Sequence, residues 1–149
     1  MEYNEILESA ARFTPQWLAG FFDGEGSVHV KACDSHRYTR LCVSITNSDL
    51  RSLTLVGLQF SGCGPYPVNG KREHKKLYQV SWSGKSAKPI LEFIKDHVII
   101  KKERVLLGIR MAELTGERGH DVSEQNKLER ERIAEEVTAM NDSPRRVAK

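Results

Sequence analysis

The chain has 149 residues, 39% of them hydrophobic and 29% charged, which suits one globular domain and is too little for two ordinary ones. No apolar run approaches the ~18 residues that a membrane span needs, and the acidic start Met1-Glu2-Tyr3-Asn4-Glu5 lacks a secretory signal pattern. Net charge is only +3, but residues 1–26 carry one basic and five acidic side chains while residues 27–76 carry eight basic and three acidic, which implies one surface that faces a polyanion.

The predicted elements begin at Thr14-Pro15, where threonine can cap a helix and proline fits the first helical position. That helix is expected to run to about Asp23 and to stop at Gly24 and Gly26, which suit a chain reversal. Strict alternation follows. Val28, Val30 and Ala32 interleave with Ser27, His29, Lys31 and Cys33, and Leu41, Val43 and Ile45 interleave with Arg40, Cys42, Ser44 and Thr46. A helix over Ser48–Gln59 carries Leu50, Leu53, Leu55, Val56 and Leu58. A strand near Pro65–Asn69 is entered through the turn Gly62-Cys63-Gly64, and Tyr78, Val80 and Trp82 alternate with Leu77, Gln79, Ser81 and Ser83. A period of two marks antiparallel strands with one buried and one open face. Helices are then expected over Ser86–His97, Lys101–Leu114 and Ser123–Met140, the last ended by Asn141-Asp142-Ser143-Pro144. The order is α-β-β-α-β-β-α followed by more helices. It describes one α+β domain with helices on one face of an antiparallel sheet and a polar, open second face.

Three cysteines, Cys33, Cys42 and Cys63, form no CxxC and have no histidines at zinc spacing, so they read as reduced thiols in an intracellular, reducing compartment. An EF-hand starting at Asp23 fails, because position 34 is aspartate where the closing glutamate would be needed. No phosphate-binding or dinucleotide glycine motif is present.

The first helix is unusual. At ~100° per residue, Leu18, Phe21 and Phe22 gather on one side with Trp17 at the edge, and Ala19, Gly20, Asp23 and Gly24 fall on the other. A glycine inside a helix costs ~1 kcal/mol relative to alanine, so a small-residue face suits a close approach by another helix. That neighbour could belong to the same chain or to a second copy. In a second copy, two Glu25 carboxylates would meet near a two-fold axis and would need neutralising, a task suited to divalent cations.

The segment Leu18-Ala19-Gly20-Phe21-Phe22-Asp23-Gly24-Glu25-Gly26 resembles the signature of the LAGLIDADG homing endonucleases. It occurs once, so the chain resembles the single-motif, homodimeric branch, and the likeness extends from about Pro15 to Arg146. Further local matches are Ile45-Thr46-Asn47, Arg51, Lys101-Lys102 and the Asn-Asp-Ser turn at 141–143. The resemblance implies an intron-encoded enzyme that cuts both strands of a long DNA site. It implies a dimer interface at Ala19, Gly20, Asp23 and Gly24, and metal held by Glu25 and the carbonyl of Gly24. The metal would be Mg²⁺, with Mn²⁺ as a substitute and Ca²⁺ binding without efficient cleavage. Asn47, Arg51 and Lys101 would join Glu25 as catalytic residues, with Lys102 an alternative to its neighbour. Asp23 would stabilise the helix end rather than bind metal.

The DNA-binding residues expected from strand parity are Ser27, His29, Lys31, Cys33, Arg40, Cys42, Ser44, Gln79 and Ser81, joined in the hairpin loops by Arg37, Lys71 and Arg72 and also by Lys75 and Lys76. Arg145 and Arg146, placed after the last helix, resemble a basic tail that contacts DNA backbone. The expected partners are double-stranded DNA and a second copy of the chain, with its own intron RNA as a further one. The competing readings are a maturase or DNA-binding regulator of the same fold, and a dimerisation module that uses only the glycine-rich helix.

Overall fold

A computed structural model describes residues 12–33, 38–68, 75–115 and 124–147. Thr14 caps the first helix, α1 (Pro15–Glu25), by accepting a hydrogen bond from Trp17 N at 3.2 Å, and Pro15 occupies its first turn. The helix outlasts the expected stop and passes into β1 (Gly26–Cys33) with no intervening loop. Gly26 has φ of −84°, so no left-handed turn is made there. What Gly26 provides is space: a Cβ at this position would lie 2.4 Å from the ring of Phe22, which is fully buried.

The remaining elements are β2 (Tyr38–Asn47), α2 (Leu50–Phe60), β3 (Cys63–Val68), β4 (Leu77–Ser83), a 3₁₀ turn (Gly84–Ala87), α3 (Lys88–Ile94), α4 (Lys102–Glu113) and α5 (Glu124–Val147). The four strands form one antiparallel sheet in the order β1-β2-β4-β3. Cys63 and Gly64, expected in a turn, belong to β3, and the pairing with β4 shifts register between Cys63 and Tyr66. The helix expected over Ser86–His97 is split, because Ser83 and Ser86 form a reciprocal cap that tightens the first turn into 3₁₀ geometry.

The alternating apolar residues do what their parity predicts. Val28, Leu41, Val43, Ile45, Val80 and Trp82 are buried against Leu18 and Phe22 of α1, Ile90, Leu91 and Ile94 of α3, and Val105 and Ile109 of α4. Gly108 lets α4 come close to the sheet: a Cβ there would stand 2.9 Å from Leu91 and 3.5 Å from Val28. All helices therefore cover one face, and the polar residues of the strands line the other.

The last helix departs from expectation. Asn141-Asp142-Ser143-Pro144 is not a stop, and α5 continues to Val147. The side chain of Asn141 is committed elsewhere: its Nδ2 donates to Val28 O at 3.0 Å and its Oδ1 accepts from Arg104 at 3.2 Å. It is thus unavailable for the local turn that would end a helix. Arg130, also buried, donates to Thr39 O and ties α5 to β2. Arg145 and Arg146 consequently lie within the last helix, not after it.

Candidate active site and nucleic-acid interface

The C-terminal end of α1, the end of β2 and the start of β4 enclose a cleft of about 520 Å³ lined by Gly24, Glu25, Gly26, Thr46, Asn47, Ser48, Lys75 and Leu77. Glu25 is exposed on the last turn of α1. Among the described residues it is the only acidic side chain lining the cleft. Among the described residues no three histidine, cysteine or acidic side chains gather into a metal site. One copy thus offers a hard carboxylate oxygen and leaves most of a cation's coordination shell to other donors.

Asp23, two residues before Glu25, is committed within the chain. Its two carboxylate oxygens accept from Ile99 N at 2.7 Å and Lys101 N at 3.0 Å, which fixes the start of α4 to the end of α1. A carboxylate suits this place, since the first amides of a helix lack partners and carry partial positive charge. The bond is returned from the other side. Lys101 Nζ donates to Phe22 O at 3.2 Å, Asp23 O at 2.9 Å and Gly26 O at 2.6 Å. An ammonium has three donors, so all are used on carbonyls at the end of α1. The Gly24 carbonyl lies outside that set. Burial holds the Lys101 pKa below the usual lysine value, helped by Arg104 and opposed by Asp23 and Glu25. Of the adjacent lysines it is therefore Lys101 that reaches the Glu25 turn, while Lys102 is exposed beside Ile99, Ile100 and Met140.

Asn47 enters the cleft from the end of β2, its Oδ1 accepting from Asp49 N at 2.8 Å. Arg51 lies exposed in the first turn of α2 and is not among the cleft's lining residues. Lys75, expected only as a loop contact, is instead the cation that lines the cleft with Glu25. Its placement depends on how the β3–β4 hairpin returns to the sheet, which residue type alone does not reveal.

The outward face of α1 corrects one expectation. Ala19 is fully buried with Leu18 and Phe22, because the helix packs through an arc wide enough to include it. Gly20 and Gly24 do face outward, and a Cβ built at either meets nothing within 4 Å. The expected alternative of a tight intramolecular crossing is therefore absent among the described residues. Trp17, 44% exposed, borders the glycines and stacks on Phe13 and Phe21 at 4.2 and 5.0 Å. Ile99 and Ile100, held against this end of α1 by Asp23, are 83% and 70% exposed.

Cross-strand register orders the open face into rows. Lys31 pairs with Arg40, His29 with Cys42 and then Ser83, and Ser27 with Ser44, Ser81 and then Cys63. Thr46 pairs with Gln79, which pairs with Tyr66. Ser44 is a second correction: at 5% exposure in an inner strand, it is buried rather than offered to a ligand. His29, whose Nδ1 is 3.3 Å from Ser27 Oγ, has its pKa lowered by burial first and by Lys31 second, so it is neutral near pH 7. Arg40 donates to Ser83 Oγ at 2.8 Å. Tyr66, absent from the sequence-based set, adds its hydroxyl to this face. Arg37, Lys71 and Arg72 fall outside the described residues, as do the side chains of Cys33, Arg145 and Arg146.

No protein-family model matches this sequence, nor does any curated protein. Solved structures do. The homing endonuclease I-CvuI, in complex with a DNA target, superposes with a TM-score of 0.67 at 14% identity over 93% of this chain and 85% of its own. The homing endonuclease I-TnaI gives 0.62 at 19% identity over 89% of this chain and 99% of its own. The LAGLIDADG homing endonuclease I-SmaMI, bound to cleaved DNA, gives 0.61 at 20% identity over 83% of this chain but 43% of its own length. The α1 helix with its outward glycines, the four-stranded antiparallel sheet and the helices stacked on one face are therefore the fold of the LAGLIDADG homing endonucleases.

Proposed function

We propose that two copies of this chain form a site-specific, Mg²⁺-dependent DNA endonuclease that makes a double-strand break in a long, pseudo-palindromic target. The observation that carries the proposal is the end of α1. A Cβ at either outward glycine would meet nothing within 4 Å among the described residues, and beside them stands a cleft that those residues line with one carboxylate, Glu25. Two such helices packed through Gly20 and Gly24 bring two Glu25 groups together and complete what one copy leaves half-made. The exposed Trp17, Ile99 and Ile100 would be covered in the same contact. The coverage of I-SmaMI, less than half, supports a unit that works in pairs.

Divalent cation use is supported by the exposed hard-oxygen donor and by the I-CvuI complexes in the presence of Mg or Ca. The residues fit such a group: Glu25 and the Gly24 carbonyl would hold it, with phosphate oxygens of DNA filling the shell. When bound, the cation supplies charge neutralisation at the scissile phosphate and lowers the pKa of water. The chain's own groups do the rest. Asn47, fixed by Asp49, presents an amide that orders water in the cleft. Lys75 faces the same space and offsets negative charge that develops on the phosphate. Arg51, exposed in the first turn of α2 and outside the cleft lining, would offer its charge to a phosphate beyond the cleft. Lys101 keeps the carbonyl end of α1 in place, so its contribution is to position Glu25 and Gly24.

Sequence is read by the open face of the sheet. Lys31, Arg40, His29 and Gln79 offer side chains to base edges in the major groove, and the two-fold assembly doubles the set into two half-sites. The test is selection from a randomised duplex library with the wild type and Glu25→Gln, in Mg²⁺ and in EDTA. Discrete Mg²⁺-dependent cuts, lost in Glu25→Gln while binding persists, support the proposal. Tight sequence-specific binding with no cutting by the wild type refutes it and favours a maturase or regulator.

A further inference from the structure

Gln79 stands on the open face, at the centre of the row Thr46–Gln79–Tyr66. Both ends of its amide are engaged by its cross-strand neighbours. Tyr66 Oη donates to Gln79 Oε1 at 3.0 Å, and Gln79 Nε2 donates to Thr46 Oγ1 at 3.1 Å. Tyr66 is held in turn, its hydroxyl 3.2 Å from Ser81 Oγ. Thr46 also lines the cleft that holds Glu25, so the row lies at the end of the sheet nearest the cleavage site.

A primary amide has two oxygen lone pairs and two N–H groups. Tyr66 from β3 takes one lone pair and Thr46 from β2 takes one N–H, one on each side of the residue. One lone pair and one N–H are left over, the acceptor-and-donor pair that matches adenine N6 and N7. We infer that Gln79 reads an adenine in each half-site, near the cleavage position, and that Tyr66 and Thr46 are positioning residues that hold its amide upright for this contact. The inference rests on the DNA-binding reading above and goes further, by assigning a base and two supporting side chains. A glutamine on an exposed strand has three rotatable bonds, and ordering it on binding costs affinity. Here the two neighbours have ordered it in the free chain.

The test uses the full chain and a randomised duplex pool, scoring base preference at each position for the wild type, Gln79→Ala, Gln79→Glu, Tyr66→Phe and Thr46→Val. The wild type should prefer adenine at one position per half-site by about tenfold. Gln79→Ala should flatten that position alone. Gln79→Glu, an acceptor only, should turn the preference at that position toward cytosine. Tyr66→Phe and Thr46→Val should each weaken the adenine preference at least threefold while thermal stability, salt dependence and the profile elsewhere stay unchanged. A switch to cytosine together with the Tyr66→Phe effect supports the assignment. Selective binding with an unaltered profile in Gln79→Ala overturns it and leaves the endonuclease reading standing, as does a uniform loss across all positions. A loss confined to Gln79 variants overturns the positioning role of Tyr66 and Thr46. Absence of any sequence-selective binding by the wild type overturns both readings together.

Discussion

Gly20→Ala should act with opposite sign on the single chain and on the pair. Among the described residues a Cβ at Gly20 meets nothing within 4 Å, so the methyl causes no clash there and removes the conformational freedom that glycine has when unfolded. In a helix interior the change is worth about 0.5–1 kcal/mol in favour of alanine, which for a chain of this size raises the melting temperature by about 1–4 °C. In the proposed dimer each copy adds one methyl where two helix backbones meet. Overpacking of this kind costs about 1–3 kcal/mol, or about 5–150-fold in the dimer dissociation constant. Sedimentation velocity over a dilution series gives the dimer constant, and thermal unfolding at a dilution where both proteins sediment as monomers gives the intrinsic stability. A dimer constant that does not move refutes the placement of Gly20 at the interface. A lower monomer melting temperature refutes the claim that this face of α1 is empty in the chain itself.

Gly26→Ala should do the reverse of Gly20→Ala in the same unfolding assay, because its Cβ would fall 2.4 Å from the buried Phe22 ring. A loss of about 1–3 kcal/mol is expected, and no loss would show that β1 can shift to admit it. Lys101→Met deletes the donor of three hydrogen bonds to the end of α1 and should lower stability by about 2 kcal/mol in urea titration; an unchanged midpoint would remove its positioning role. His29 has a depressed pKa in the folded chain, so the unfolded chain takes up the proton first as pH falls through 6.5. Stability should therefore decline below about pH 6.5, and the decline should be smaller in His29→Gln; identical pH profiles for the two would contradict it. Lys75→Ala should slow cleavage more than it weakens binding, and equal losses in both would make Lys75 an ordinary backbone contact.

Strand parity and helix periodicity were legible because each depends on residues close in sequence. Val28, Leu41, Val43, Val80 and Trp82 face the core as their alternation requires. The helical wheel of the LAG…DGEG segment put Gly20 and Gly24 on the outward side of α1, where the structure has them. What was not legible depends on contacts between distant elements. Asn141 looks like part of a helix stop until Arg104 and the Val28 carbonyl claim its side chain. Ala19 looks like part of a small-residue face until the width of the core arc is known. Lys75 cannot be told from Lys76 in the sequence, since only the approach of β4 to the end of β2 decides which of the two lines the cleft with Glu25. The Tyr66–Gln79–Thr46 row required the register of three strands at once.

The two carboxylate bonds of Asp23 have a consequence for measurement. Ile99 and Ile100 are largely exposed, and a connection with so little packing would ordinarily exchange its amide protons quickly. The amides of Ile99 and Lys101 are nevertheless bound to Asp23, on the very turn that carries Glu25. Their protons can be lost only when the end of α1 lets go of the start of α4. Slow exchange at these two positions, set against fast exchange at Ile100 between them, would time the opening of the turn that carries Glu25 directly, in the absence of DNA, metal or any label.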